Sequence, residues 1–260
     1  MASTPLIGSG DIIVGAWRNF HRNVRTYAQY TVWFTLLRVV QWALTLVTAQ
    51  LITLRSLRLL ADTLCALPIL LLYTALIISL IETIASQLRD GRTGQRAAIT
   101  PGLRKLVPMV WVSILVTAIV VPGLFLFLIP GFYFLVRYRF SQNFVILDGL
   151  RGRAALAASR ALVKGRWWTT ALRLALPGIF YTIAVMFVTY LLYFIASALL
   201  GDSAAFFGQF TAQESLSTSH MLVQTILTAA INGLALPLYL AADLILWHDL
   251  KRVPVQTQTS

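Results

Sequence analysis

Long apolar stretches alternate with short polar gaps along this chain, and the positive charge sits in gaps that fall almost always on the same side of those stretches. A bilayer core demands about 20 predominantly apolar residues of a crossing helix. Inside lipid only helices and closed barrels satisfy their own backbone. A chain with several 20-residue apolar segments is therefore expected to be all-α, a polytopic integral membrane protein. Charged residues make up 12% of the sequence, about half of what a soluble domain carries.

About six transmembrane helices in three hairpins are expected, together with amphipathic helices on the cytoplasmic face. Residues 1–30 read as an N-terminal segment whose helix, Ser9 to Tyr27, repeats Ile12, Ile13, Ala16, Phe20, Val24 and Tyr27 at helical spacing, with Arg18, Arg22 and Arg25 on other faces. It is too polar to span and is expected to lie in the interface. The transmembrane domain is placed at 31–250, followed by a tail at 251–260. Its first two spans run from about Thr31 to Leu54 and from Ala66 to Ser86, with Arg55, Arg58 and Asp62 in the loop between them.

Leu106 to Leu147 holds enough apolar residues for two spans but carries two Pro-Gly pairs, Pro122-Gly123 and Pro130-Gly131. One reads as the hairpin turn and the other as a kink. Either choice shortens the fourth span or buries Arg137 and Arg139, so a shallow helix pair stays open as an alternative. Thr100-Pro101 reads as a helix start. Gly152 to Lys164 is a second amphipathic helix, which Gly165 can end. The fifth and sixth spans run from about Thr170 to Leu199 and from His220 to Trp247, with the loop Gly201 to Ser219 between them.

Eighteen of the 21 lysines and arginines fall in the N-terminal segment, the second and fourth gaps and the tail; Arg55 and Arg58 lie in the first gap and Arg38 inside the first span. Positive charge marks the cytoplasmic side, so both termini are expected in the cytoplasm and the protein in the cell's inner membrane. No cleavable signal sequence is apparent. Losing the central hairpin would leave four crossings with the same orientation. The net charge of +12 fits anionic lipid headgroups rather than nucleic acid, although the orientation rule alone also produces it. A basic helix followed by spans recurs around Asp11, Gly102 and Gly152, as three related hairpins would; shared amphipathic patterning accounts for it as well.

Two groups of residues are candidate sites. Arg137, Arg139, Arg160, Lys164 and Arg166, with Trp167 and Trp168, suit a phospholipid headgroup, because guanidinium forks match phosphate and tryptophan favours the headgroup layer; charge that only sets topology is the plainer reading. Arg38, Glu82 and Asp243 are ionisable residues within spans, each costly there. They are expected at one depth, as a helix-tying pair, as a transport site, or as side chains that reach the interface without a partner. No catalytic residue, cofactor or metal site is expected: His21, His220 and His248 are far apart, His248 beside Asp243 and Asp249 reads as a helix end, and no nucleophile-elbow, zinc-helix or phosphate-loop motif occurs. Cys65, the single cysteine, excludes an intrachain disulfide.

From Ile129 the chain reads Ile-Pro-Gly-Phe-Tyr-Phe-Leu-Val-Arg-Tyr-Arg-Phe, then Asn143-Phe-Val-Ile-Leu-Asp-Gly, then Ala158-Ser-Arg-Ala-Leu-Val-Lys-Gly-Arg-Trp-Trp. This stretch resembles the glycerophosphoryl diester phosphodiesterase membrane-domain family and its stand-alone relatives. Ser159, Leu162, Gly165 and Trp167 fall on that family's Ser-x-x-Leu-x-x-Gly-x-Trp segment. The resemblance covers residues 129–168 and implies a helical membrane module. In fused members catalysis belongs to a separate soluble barrel, which this chain is not expected to carry. The functional expectation is a non-enzymatic membrane module binding anionic membrane lipid or a partner protein at the inner leaflet. The alternative is a transporter or lipid-moving protein using the Arg38, Glu82 and Asp243 layer.

Overall fold

The computed structural model describes residues 6–91, 100–126, 128–199 and 218–253. The loop at Gly201–Ser217, Arg92 and Arg96 in the second gap, the His220 side chain and the end of the tail lie outside the described residues. Described residues form helices only: α1 Ser9–Arg22, α2 Val24–Leu51, α3 Arg55–Asp90, α4 Thr100–Leu126, α5 Leu128–Tyr138, α6 Ser141–Leu147, α7 Gly152–Val163, α8 Trp167–Leu199 and, here numbered α9, Thr218–Arg252. Five of them, α2, α3, α4, α8 and α9, are long and apolar enough to cross a membrane. The chain is an all-α polytopic membrane protein.

α9 is the hub and packs against α1, α2, α3 and α8. Its most apolar stretch is 44% buried and that of α3 39%, against 11% for α2 and for α8. The two peripheral helices turn large apolar residues outward, among them Val32, Trp33 and Leu36 on α2 and Phe180, Ile183 and Phe187 on α8. In water such a surface would aggregate; here it is the lipid-facing wall.

α2 and α3 form an antiparallel hairpin. Tyr27 reaches Gln87 and Tyr30 reaches Thr83 at one end, and Thr48 bonds Asp62 at the other. Arg55, Arg58 and Asp62, expected in a loop, are in the first turns of α3, whose 36 residues span about 54 Å and outrun a ~30 Å hydrocarbon core. Arg58 and Asp62 lie four residues apart on that helix and pair at 3.9 Å. α8 and α9 form a second antiparallel hairpin, with Arg166 beside Leu250 and Thr182 beside Tyr239.

The centre departs from the six-span expectation. Neither Pro-Gly pair is the turn. Both lie inside helices, and α4 and α5 pack against each other. The glycines serve close approach: a Cβ on Gly123 would lie 3.1 Å from the Gly131 Cα, and one on Gly131 would lie 2.6 Å from the Leu124 nitrogen. Eight residues of continuous helix would hold positions 123 and 131 about 12 Å apart. α5, with 11 residues, is about 16 Å long and too short to span. At the start of α4, Gly102 sits against Ala75 and Ser79 of α3, and Lys105 reaches Glu82.

α1 starts at Ser9 as its pattern predicts but stops at Arg22 rather than Tyr27. Asn23 leaves helical geometry there, and its side chain bonds the Asn19 carbonyl at 3.0 Å. The apolar face of α1 is spent on protein as well as left for lipid. Ile12 and Ala16 are buried, the Tyr181 hydroxyl on α8 donates to the Ile13 carbonyl, and Gly15 lies against Ile245 of α9, whereas Trp17 is exposed. α7 matches its expected bounds, and Gly165 ends it in the left-handed region at φ 79°.

A polar relay joins the first three helices: the Asn19 amide donates to the Tyr27 hydroxyl at 2.7 Å, which donates to the Gln87 side chain. All three residues are buried. Tyr27→Phe leaves both amides short of a partner and is expected to lower stability by about 1–3 kcal/mol, read as a lower unfolding midpoint in detergent. Gly131→Ala pushes a methyl into the Leu124 backbone and is expected to cost a further, independent ~1–3 kcal/mol.

Candidate functional site at the basic end of the bundle

The segment before α1, α6 and the starts of α4 and α8 gather at the C-terminal end of α9. The Ile7 amide donates to Asp249 at 2.9 Å, and Lys251 binds Asp148 at 2.8 Å. Arg166 donates to the carbonyls of Leu162, Leu250 and Val253 at 2.9, 2.5 and 2.6 Å. The last carbonyls of a helix lack intrahelical partners, and a cation there also faces the negative end of the dipole. Burial pulls the Arg166 guanidinium below its ordinary pKa, which the nearby Asp249 carboxylate opposes.

A cavity of about 400 Å³ opens beside this helix end. Its walls carry Glu82 and Arg89 of α3, Lys105 of α4, Asp148 after α6, and Trp247, His248, Lys251 and Arg252 of α9. Lys105 pairs with Glu82 at 2.5 Å and also donates to the Ile146 carbonyl; Arg89 is held by its neighbour Asp90. The Lys251 ammonium lies 4.4 Å from the centre of the Trp247 ring. Trp247 is 2% exposed, and among the described residues its indole N–H has no hydrogen-bond partner and neither has the Nε2 of His248. Buried polar atoms are ordinarily satisfied. Cations, an unanswered indole donor and an aromatic wall suit an anionic oxygen group.

The expected headgroup residues are distributed around the other side of the same end. Arg137 bonds the Tyr133 hydroxyl at 2.9 Å and lies over the Tyr133 ring. Trp167 stacks on that ring, donates to the Tyr133 carbonyl and meets Trp168 edge-on. Trp168 is 73% exposed, as an interface anchor would be. Arg160 and Lys164 are exposed on the outer face of α7, whose inner face is pinned by the Ser159 hydroxyl on the Arg137 carbonyl. Arg139 and Arg166 are committed elsewhere, to Asp243 and to the helix-end carbonyls. Five of the seven residues thus form an aromatic–arginine patch and a basic helix face rather than one pocket.

Arg38, Glu82 and Asp243 are not brought together. Glu82 pairs with Lys105 and Asp243 with Arg139. Arg38 lies on α2 eight residues beyond Tyr30, which faces Thr83, and eight residues advance about 12 Å along a helix. Spacing along separate spans fixed neither relative depth nor azimuth. Asp243, Asp249 and His248 likewise diverge: Asp243 faces Arg139 and Asp249 takes the Ile7 amide.

Sequence reasoning missed Lys105, Asp148, Trp247 and Lys251. One signal was available: Trp247 and Lys251 are four residues apart, hence on one helix face. Comparison with protein-family models, with curated proteins and with solved structures returns no match.

Arg166→Ala is expected to lower stability by about 2–3 kcal/mol, because three carbonyls lose charged donors. Arg166→Lys recovers only part, since one ammonium cannot reproduce the fork; denaturation in detergent measures both. Glu82→Gln is expected to cost about 1–2 kcal/mol, and a smaller cost in a Lys105→Gln background would establish the coupling.

Proposed function

We propose that this protein is a non-enzymatic module of the cell's inner membrane, with both termini in the cytoplasm, that binds anionic phospholipid headgroups at the inner leaflet. The observation that carries the reading is the cavity at the end of α9, lined by Lys105, Lys251 and Trp247, whose buried indole N–H has no partner among the described residues. A phosphate oxygen is the acceptor this arrangement suits, and ammonium groups bind it as point charges. The Tyr133, Trp167 and Trp168 belt, with Arg160 and Lys164 outside it, supplies headgroup-depth anchoring and long-range attraction to an anionic leaflet. The likeness of residues 129–168 to the glycerophosphoryl diester phosphodiesterase membrane-domain family supports a membrane module without chemistry of its own. The orientation rests on the 18 basic residues grouped on one side. Transport through a layer of Arg38, Glu82 and Asp243 draws less support, because the two acids are committed to Lys105 and Arg139.

Mass-spectrometric comparison of lipids retained by the gently purified protein with the bulk membrane tests the reading. Enrichment of an anionic phospholipid is expected, reduced at least about fivefold by Lys251→Gln with Arg252→Gln and more weakly by Arg160→Ala with Lys164→Ala. Retention that mirrors the bulk membrane in all three proteins would mean that the charges only set topology.

A further inference from the structure

A larger cavity, about 740 Å³, lies between α2, α3 and α9, away from the basic end. That volume is within the range of small-molecule sites. Most of its wall is apolar, including Phe34, Leu70 and Tyr73, but Arg38, Gln41 and Asn232 also face it. Arg38 occupies the middle of α2, 14 residues after its first residue and 13 before its last.

A guanidinium at mid-span is costly unless it is paired or reaches water. Among the described residues Arg38 pairs with no carboxylate. Its one hydrogen bond is a long contact, 3.3 Å, to the neutral Gln41 side chain. Asp62, in an adjoining cavity of about 320 Å³ that shares Gln41 and Thr63, is already bonded by Thr48 and paired with Arg58. Within the described residues a cation therefore faces an apolar chamber and has no anion there.

We propose that this chamber is a second ligand site, which takes a single-chain anionic amphiphile from the bilayer, its charged oxygen head on Arg38 and its acyl chain along Phe34, Leu70 and Tyr73. The head chemistry is a carboxylate or phosphate, since either matches the guanidinium fork. Gln41 and Asn232 offer neutral amide donors at the same wall. α3 and α9 each carry a proline next to this wall, Pro68 and Pro237; each removes an intrahelical hydrogen bond, which loosens the helices bordering the chamber. The site is independent of the headgroup cavity and shares no residue with it.

The test uses the full chain in phosphatidylcholine nanodiscs with three diazirine probes: palmitic acid, lysophosphatidic acid with a palmitoyl chain, and hexadecanol as the neutral control. Adducts mapped by mass spectrometry are expected between residues 63 and 73 and between 228 and 239, at least fivefold above hexadecanol for one or both anionic probes. Whichever anionic probe labels more strongly, and is competed by its unlabelled form, identifies the head as carboxylate or phosphate. Arg38→Gln is expected to bring labelling down to the hexadecanol level, while Arg38→Lys retains most of it. Ala66→Trp obstructs the chamber with Arg38 intact and is expected to suppress the same adducts, which keeps the proposal testable should Arg38→Gln fail to fold. Equal labelling by all three probes, or adducts insensitive to Arg38→Gln and Ala66→Trp, would overturn it and leave Arg38 as a residue that reaches the interface with its own side chain.

Discussion

A helix that ends inside a bundle leaves carbonyls without partners, and the way α9 meets that requirement organises the rest of the molecule. Arg166, at the junction of α7 and α8, takes the Leu250 and Val253 carbonyls. On neighbouring positions of the same turn, Asp249 captures the Ile7 amide before α1, and Lys251 captures Asp148 after α6. One helix end thereby fixes the N-terminal helix, the amphipathic helix and the short central helices. Lipid tails are as apolar as leucine, so burial does little to choose among arrangements of helices within a bilayer. Polar links at the ends are then left to set register, and three of them converge here.

The all-α, multi-span class was legible because the length of an apolar run is a direct physical constraint. Helix starts near Ser9 and Gly152 were legible from the amphipathic period, and the start at Thr100 and the stop at Gly165 because proline and glycine chemistry act within a few residues. What failed were features decided by tertiary packing. A Pro-Gly pair carries turn chemistry locally, yet the energetic use of Gly123 and Gly131 is the near-contact of two helices, which no local reading contains. Arg55 and Asp62 looked like loop residues because they are charged, although charge is compatible with a helix that protrudes from the core. The interruption at Asn23 was missed because the apolar period runs on through it to Tyr27.

The same limit governed the charges. Counting residues from a span's end gives an approximate depth, but pairing also depends on which way each helix face is turned and on which helices are neighbours. Glu82 and Asp243 are matched by Lys105 and Arg139, from α4 and from the turn after α5, the segment that the sequence left most open. The central hairpin, too short in α5 to make a second full crossing, thus supplies basic partners to acids on the two most buried long helices. Removing one member of such a pair exposes its partner to an unmet desolvation cost, so these links also hold the hairpin against the bundle.

Arg38 stands apart from that scheme for a geometric reason. Thr31 packs against Gly233, and Arg38 lies two turns beyond Thr31 on α2, a further ~10 Å away from the end where Lys105 and Arg139 meet their acids. The start of α4 is held by contacts with Ala75, Ser79 and Glu82 of α3, toward that end. The Glu82–Lys105 and Asp243–Arg139 pairs thus lie toward the basic end, and Arg38 lies below them, facing a chamber. An arginine at a helix centre costs about 2.5–3.5 kcal/mol on insertion scales, a cost that neither helix packing nor topology requires at that position, since the positive residues of the gaps already orient the chain. A compensating anion from the bilayer removes the cost where it arises, which is why the chamber and the guanidinium are best understood as one feature.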